Sequence, residues 1–389
     1  MKKIAVVFEG DIYNRFGGTN SIQNRIEHLR QCAGYGIDPY MIQVYDGKVM
    51  RLLRKSGGTP SRPARARLGS VECDMRWSKR SWTDAVVHRW LGQEPPMLMS
   101  FTSRVAHELE GYDLISAHDR IGGLAAMRAS QLYGMPFFMT WHGYSIHTDP
   151  FRDAVVMNQT RRLLLAATDN FFVSKSLAEV AQEIAPGSSG RVLFNGVSQR
   201  FHRYSDQSRA ELRRKLGVDG CKVVAFVARF DPIKNAESLP DIYSRIQRYY
   251  EGKVAFWAIG DGCTKAGVER QMTVPCRFWG YQEPELIPDF MNCIDVLVLP
   301  SRREGLPLVS LEAIKCGAGV VASSGVGASE YIGSNNVFDI TAPDFAEHIS
   351  RRAVAMLNGD VPAQTLNKDM TWAETAQLEN AIYASHLSR

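Results

Sequence analysis

The chain has 389 residues, 45% hydrophobic and 22% charged, with a formal net charge of +5, a length that asks for two domains of about 150–200 residues each. No apolar run approaches the roughly 18 residues of a membrane span, and Met1 to Glu9 runs straight into a strand-like segment rather than a signal-peptide core, so a cytoplasmic protein is expected. Seven scattered cysteines without a Cys-x-x-Cys pair give no support to metal or redox chemistry and suit free thiols in a reducing compartment.

Short, nearly continuous apolar runs recur along the first half at 4–8, 39–45, 113–117, 136–141, 170–173 and 191–194. Such runs suit strands buried on both faces of a parallel sheet. Helix-length segments at 19–34, 122–133 and 174–185 separate them, and residues 47–96 read as the irregular part, with a loop at Gly57-Gly58-Thr59-Pro60. After a polar connection at 195–220, carrying a short charged helix at 208–216, the pattern restarts. Strand-like runs fall at 222–228, 253–259, 276–279, 295–299, 319–323 and 337–340, with helices at 236–250, 284–293 and 308–316. Strand alternating with helix predicts an α/β protein with two parallel sheets in tandem. The predicted domains are 1–200, completed by a C-terminal helix at 373–389, and 201–372.

Charge is unevenly spread. Residues 1–200 hold 25 Lys/Arg against 18 Asp/Glu, a balance of +7, whereas residues 201–389 hold 21 against 23, or −2. Much of the excess lies within 48–90, where Arg51, Arg54, Lys55, Arg62, Arg65, Arg67, Arg76, Lys79 and Arg80 interleave with Trp77, Trp82 and Trp90. A basic segment with aromatics suits peripheral contact with an anionic membrane; the alternative is a solvated loop with core tryptophans. No recognition motif supports nucleic-acid binding.

Ligands of open parallel sheets sit beyond the carboxyl ends of the strands, and three such places carry suitable residues. In Ala228-Arg229-Phe230-Asp231-Pro232-Ile233-Lys234-Asn235, Arg229 and Lys234 form a candidate diphosphate clamp beside a helix start. In the segment 300–313, Pro307 suits the first position of a helix, the amides of Leu308 and Val309 are free to face an anion, and Glu304 and Glu312 offer two acceptors for sugar hydroxyls. In the first half, Phe16-Gly17-Gly18-Thr19-Asn20 follows the first strand without forming a Gly-x-Gly-x-x-Gly fingerprint, so a nicotinamide cofactor is not indicated. His142-Gly143 follows another strand, and His118-Asp119 ends a third; for the latter pair a structural and a functional role are equally open.

Glu304 and Glu312, with seven residues between them in a Glu-Gly-Leu-Pro-Leu setting, resemble the Glu-x7-Glu signature of retaining GT-B glycosyltransferases, the glycosyl transferases of group 1 or glycosyltransferase family 4. Arg229 to Asn235 is similar to the family's Gly-Arg-Leu-x-x-x-Lys-Asn element, with Ala228 in place of the Gly. Residues 259–262 resemble Gly-x-Gly-Asp-Gly, and Phe278-Trp279-Gly280-Tyr281 resembles the Phe-x-Gly strand. Asn195-Gly196-Val197 resembles the turn ending the first domain, and residues 372–383 resemble the closing Trp-x-x-x-Ala helix. The likeness covers nearly the whole chain and is thinner from about 47 to 110.

The resemblance implies two Rossmann-like domains facing a central cleft, with the last helix crossing back to the first. It implies His142, Arg229, Lys234 and Glu304 as catalytic residues, and Gly17, Gly18, Gly262, Tyr281, Gly305, Leu306, Leu308, Val309 and Glu312 as donor-binding residues. The implied reaction moves a sugar from a UDP- or GDP-sugar to a sugar or lipid-linked acceptor with retained configuration, in surface polysaccharide or glycolipid assembly. No Asp-x-Asp occurs, so no bridging metal and no separate cofactor are expected. Alternative readings are a sugar phosphorylase or epimerase, or a non-catalytic nucleotide- or carbohydrate-binding protein on the same scaffold.

Overall fold

A computed structural model of the chain describes residues 2–12, 17–54, 61–366 and 370–387. They form two compact units, Met1–Asn195 with Trp372–Arg389, and Gly196–Thr371. Phe16, Lys55 and the Gly57-Gly58-Thr59-Pro60 loop lie outside the described residues.

The first unit runs β1 (Lys3–Glu9), α1 (Gly17–Cys32), β2 (Gly36–Asp46), α2 (Lys48–Arg54), β3 (Arg65–Leu68), β4 (Val71–Arg80), α3 (Trp82–Leu91) and α4 (Pro96–Glu108). It continues with β5 (Leu114–His118), α5 (Asp119–Tyr133), β6 (Phe137–Trp141), α6 (Tyr144–His147), α7 (Ala154–Ala166), β7 (Asp169–Phe172), α8 (Lys175–Ile184) and β8 (Arg191–Val192). The strands make one sheet in the order β3-β4-β2-β1-β5-β6-β7-β8, parallel except for the β3–β4 hairpin. β5 and β6 are buried along their whole length, in keeping with runs that are apolar apart from Ser116, His118 and Thr140.

The segment 47–96 is not irregular. β4 pairs in parallel with β2 from Tyr40↔Asp74 to Asp46↔Arg80. Its Val71, Cys73 and Met75 point inward while charged residues alternate outward. That period of two is a half-buried strand, hidden in the sequence by its density of charge. α3 is capped by Ser81, whose side chain accepts from the Asp84 amide, and is ended by Gly92 in the left-handed region.

The second unit runs α9 (Asp206–Leu216), β9 (Lys222–Val227), α10 (Leu239–Tyr249), β10 (Val254–Ile259), α11 (Lys265–Gln271), β11 (Cys276–Gly280) and α12 (Ile287–Cys293). β12 (Val296–Leu299), α13 (Leu308–Lys315), β13 (Gly319–Ser323), α14 (Ser329–Ile332), β14 (Val337–Phe338) and α15 (Phe345–Asn358) complete it. Its sheet, ordered β11-β10-β9-β12-β13-β14, is parallel throughout. Leu239, Ile242, Tyr243 and Ile246 of α10 and Ile349 and Ala353 of α15 cover one face through Val224, Phe226 and Phe256.

The last helix, α16 (Trp372–Leu387), belongs to the first unit. Its Ala376 and Tyr383 join a core with Ile22, Ile26 and Leu29 of α1 and Ile4, Val6 and Phe8 of β1. A fully buried ion pair, Arg25 Nη1 to Glu379 Oε2 at 2.9 Å, locks α16 to α1. The guanidinium also donates to Leu193 O and to Asn195 Oδ1, at 3.1 and 3.2 Å. Both units are thus Rossmann-like, the fold expected from the alternation of strand and helix.

Candidate functional site

In each sheet the chain order reverses at one place, between β1 and β5 in the first unit and between β9 and β12 in the second. A parallel sheet opens a crevice at such a switch point, beyond the carboxyl ends of the strands.

In the second unit, residues 228–235 follow β9 and residues 300–307 follow β12. The two segments are stitched together by main-chain and side-chain bonds. Arg302 N donates to Ile233 O at 2.7 Å, Asn235 Nδ2 donates to Pro300 O at 3.1 Å, and Arg302 Nη2 donates to Asn235 Oδ1 at 2.7 Å. Lys234 is not yet in a helix. It ends a single 3-10 turn, after which Asn235 takes a left-handed conformation (φ 52°) before the chain enters α10. Asparagine tolerates that conformation better than most residues, and its amide ties both segments.

The stitching brings Lys234 Nζ within 2.7 Å of Glu304 Oε2. Ser301 Oγ donates to the other carboxylate oxygen at 2.5 Å, and the Glu304 amide donates to Gly325 O at 2.8 Å. Arg229 lies one residue past the strand-end amide of Ala228 and pairs with Asp231 at 2.8 Å, with more than half of its side chain exposed. Gly305, Leu306 and Pro307 are buried and lead into α13. Pro307 occupies its N-cap without a side-chain cap, so the Leu308 and Val309 amides open the helix as the first unsatisfied donors.

Glu312 lies one turn further in, half-buried. Its side chain takes no hydrogen bond or ion pair among the described residues, and burial pushes its carboxyl up from 4.5 to about 7, opposed only by the charge of Arg200. Gly262 has φ 150°, and a Cβ there would lie 2.4 Å from Phe230 O. The backbone after β10 can therefore press against the Arg229 segment only with glycine. Tyr281, just after β11, exposes its ring.

In the first unit, Gly17 and Gly18 open α1 rather than forming a loop ahead of it. His142 follows β6 and meets His118, the last residue of β5, through a 3.0 Å contact between His142 Nε2 and His118 Nδ1. Burial is the main reason both rings stay neutral; it holds His118 well below the ordinary histidine range and brings His142 down to about 3, with the Arg25 charge pushing the same way. His142 Nδ1 is buried without a partner among the described residues.

Asp119 follows in a left-handed conformation (φ 62°). Burial, and then the nearby Glu9 charge, raises its carboxyl from 3.8 to about 7, while Ser145 Oγ donates to it at 3.4 Å. Glu9, Asp119, Arg120, Ser145 and Asp149 line a cavity of about 380 Å³. Of the His118-Asp119 pair, Asp119 lines this cavity while His118 packs against His142. Asn235, Ser301 and Arg302 fall within the segments singled out in the sequence but carry no assigned role there; the bonds within and between the two segments give them one.

The segment 48–90 carries two kinds of residue. Arg65, Arg76 and Arg80 are taken up by Asp74, Glu108 and Asp46, and the Arg62 guanidinium lies 4.6 Å over the Tyr45 ring. Trp77 is half-buried and donates to Pro63 O. Trp82 and Trp90, by contrast, are exposed, together with Val49, Leu52 and Leu91. Among the described residues no helix is long and apolar enough to cross a membrane, and no group of three or more His, Cys, Asp and Glu side chains is placed to hold a metal ion.

Residues 221–358 match the family described as glycosyl transferases group 1. A D-inositol 3-phosphate glycosyltransferase of Acidothermus cellulolyticus is 26% identical over 59% of this chain and 57% of its own length. An N-acetyl-alpha-D-glucosaminyl L-malate synthase of Bacillus anthracis is 23% identical over 62% and 64%. Each of these matches spans less than two thirds of the relative. Solved structures agree along the whole chain. HepE of Anabaena in complex with UDP and glucose superposes with a TM-score of 0.65 at 17% identity, covering 99% of this chain and 97% of its own. Sucrose-phosphate synthase of Thermosynechococcus elongatus reaches 0.71 at 16% identity, covering all of both chains. Residues 221–358 thus match glycosyl transferases group 1, on a chain with the two-Rossmann-domain GT-B fold.

Proposed function

We propose that this protein is a retaining glycosyltransferase that moves a sugar from a nucleoside-diphosphate sugar to an acceptor hydroxyl. The observation that carries the reading is the cluster at the second unit's switch point. Lys234 and Glu304 are paired there, 2.7 Å apart, with Arg229 on the same segment and the opening amides of α13 beside them. Cations and helix-start amides suit a diphosphate, and carboxylates suit the hydroxyls of a sugar or ribose. Glu312 is the candidate for the ribose pair, Tyr281 for the base, and Gly262 and Gly305 for close backbone approach.

In the reaction the acceptor oxygen bonds to the anomeric carbon while the bond from that carbon to the diphosphate breaks. The bonding pair leaves with the phosphate oxygen, which takes up the acceptor proton on the same face of the sugar. Arg229, Lys234 and the Leu308 and Val309 amides stabilise the departing charge, each well-placed donor contributing roughly 3–4 kcal/mol by analogy with an oxyanion hole. These cations supply the charge that a bridging metal would otherwise bring. Within the first unit, His142 is the candidate for a contact with a sugar hydroxyl, and the Asp119 crevice is the candidate acceptor pocket.

HepE, crystallised with UDP and with UDP-glucose, makes a UDP-sugar the first donor to test. A lipopolysaccharide outer core galactosyltransferase, WaaB, shares the fold with a TM-score of 0.64 at 17% identity, which supports a surface glycan or glycolipid as product. The exposed Trp82, Trp90, Val49, Leu52 and Leu91, beside Lys48 and Lys79, suit a peripheral contact with an anionic membrane surface at its cytoplasmic face. The test is thermal stability against UDP, GDP, ADP and dTDP and their sugars in EDTA, followed by turnover. A selective rise with one nucleotide, lost in Arg229→Ala and Lys234→Ala, is expected. No shift with any of them would overturn the donor-site assignment.

A further inference from the structure

A line of buried polar groups runs from the α1–α16 ion pair to His142, and its proton positions can be worked out one at a time. Glu379 Oε2 is held by Arg25, and its Oε1 lies 2.7 Å from the Tyr383 hydroxyl. A carboxylate only accepts, so Tyr383 spends its single proton on Glu379. The Tyr383 oxygen is also 2.9 Å from Ser116 Oγ. With the phenol proton already committed, that contact is a bond only if the serine donates.

Ser116 Oγ then has only lone pairs left for its other neighbour, His118 Nε2, at 3.5 Å. This link is the longest, but two lone pairs facing each other would repel, so the proton sits on His118 Nε2. A neutral imidazole carries one N–H, which leaves His118 Nδ1 as an acceptor for His142 Nε2 at 3.0 Å. The ring centroids are 5.2 Å apart with only 20° between the planes. The rings therefore lie edge to edge in almost one plane, the alignment an in-plane N–H···N bond requires.

We infer that Glu379, Tyr383, Ser116 and His118 form a directional hydrogen-bond wire that fixes His142 as the Nε2–H tautomer, so that its buried, unpartnered Nδ1 presents a lone pair and accepts a hydrogen bond from a hydroxyl. The four are positioning residues acting through His142. The wire stands on the geometry of the first unit alone, while the role of the lone pair towards a sugar hydroxyl rests on the transferase reading. The class of ligand group at this atom is a donor, a hydroxyl or N–H, and not a carbonyl or phosphate oxygen.

The test uses the full chain with isotope-labelled histidine nitrogens, the rings being assigned through His118→Gln and His142→Gln. Long-range proton–nitrogen NMR spectra report which ring nitrogen is protonated. His142 Nδ1 is expected to be pyridine-type and Nε2 pyrrole-type. Tyr383→Phe frees the Ser116 proton to turn towards His118, and Ser116→Ala removes the relay. Each should shift His142 towards the opposite tautomer, and Ser116→Thr should retain the original one. A pyrrole-type Nδ1 in the unaltered chain overturns the inference, as does a His142 tautomer unmoved in both folded variants. Turnover of His142→Gln separates the two readings. Full activity there, with the tautomer as expected, leaves the wire in place and removes His142 from the sugar site.

Discussion

Lys234 Nζ and Glu304 Oε2 lie 2.7 Å apart, although 69 residues of chain lie between the two in sequence. Each neutralises the other beyond the ends of β9 and β12, so a diphosphate that engages Lys234 must share it with the carboxylate. On the proposed transferase reading, the pair would couple the charge of the leaving group to the position of Glu304.

Lys234→Ala should lower kcat/KM by roughly a hundred- to a thousand-fold, the loss expected for one charge-stabilising donor. The melting temperature without nucleotide should move little, and the stabilisation by nucleotide should disappear. Steady-state kinetics and thermal melts with and without UDP check both parts; a near-normal kcat/KM would remove Lys234 from the site.

Gly262→Ala should abolish nucleotide binding and destabilise the second unit. A side chain at φ 150° would sit 2.4 Å from Phe230 O, and backbone strain of this kind costs on the order of 1–3 kcal/mol. Thermal melts and nucleotide titration of the variant test it, and unaltered binding would show that the 260–262 turn is not part of the donor site.

Glu312 gives a pH dependence with a definite sign. Its carboxyl rises from 4.5 to about 7 in the folded protein because of burial, so between these values the folded chain holds a proton that the unfolded chain has released. Its contribution to stability is therefore complete below pH 4.5 and is lost as pH rises through 7. Glu312→Gln should melt higher than the unaltered protein at pH 8, by ~2–4 °C if partial exposure leaves about 1 kcal/mol, and at the same temperature at pH 4. A difference that grows towards acid pH would contradict this.

Arg25 and Glu379 predict a large effect on the stability of the first unit. Their pair is almost wholly excluded from water, and removing one partner of a buried pair costs about 3–5 kcal/mol because the other charge is left uncompensated. Arg25→Met and Glu379→Gln should each lower the denaturation midpoint sharply, and the double variant should lose less than the sum. Additive losses in chemical denaturation would mean that the pair is not coupled.

Trp82→Ser combined with Trp90→Ser should reduce binding to vesicles containing anionic lipid, while turnover on a soluble acceptor stays near normal. The residual binding should fall with added salt, because the remaining attraction of Lys48 and Lys79 is screened. Vesicle sedimentation reads this directly, and unchanged binding would end the membrane assignment.

The sequence by itself determined the fold class. Short, mostly apolar runs such as 114–118 and 137–141 suit strands buried on both faces, and their alternation with helix-length segments points to parallel sheets. It also marked Arg229, Lys234, Glu304 and Glu312, because strand ends are identifiable from local pattern. Local pattern failed where charge masked periodicity. β4 alternates as a strand should, yet its Glu, Asp, Arg and Lys residues made it read as a loop.

Only the tertiary structure decided which of the marked residues meet. That Lys234 neutralises Glu304 depends on β9 lying beside β12 in the sheet, and this order is set by long-range pairing, which leaves no trace in local composition. The same holds for His142. Its neighbour His118 comes from the adjacent strand, and Tyr383 and Glu379, which orient the rings through Ser116, come from a helix more than 230 residues further along the chain. Burial then sets their protonation, because desolvation depends on everything packed around a group and on nothing adjacent to it in sequence.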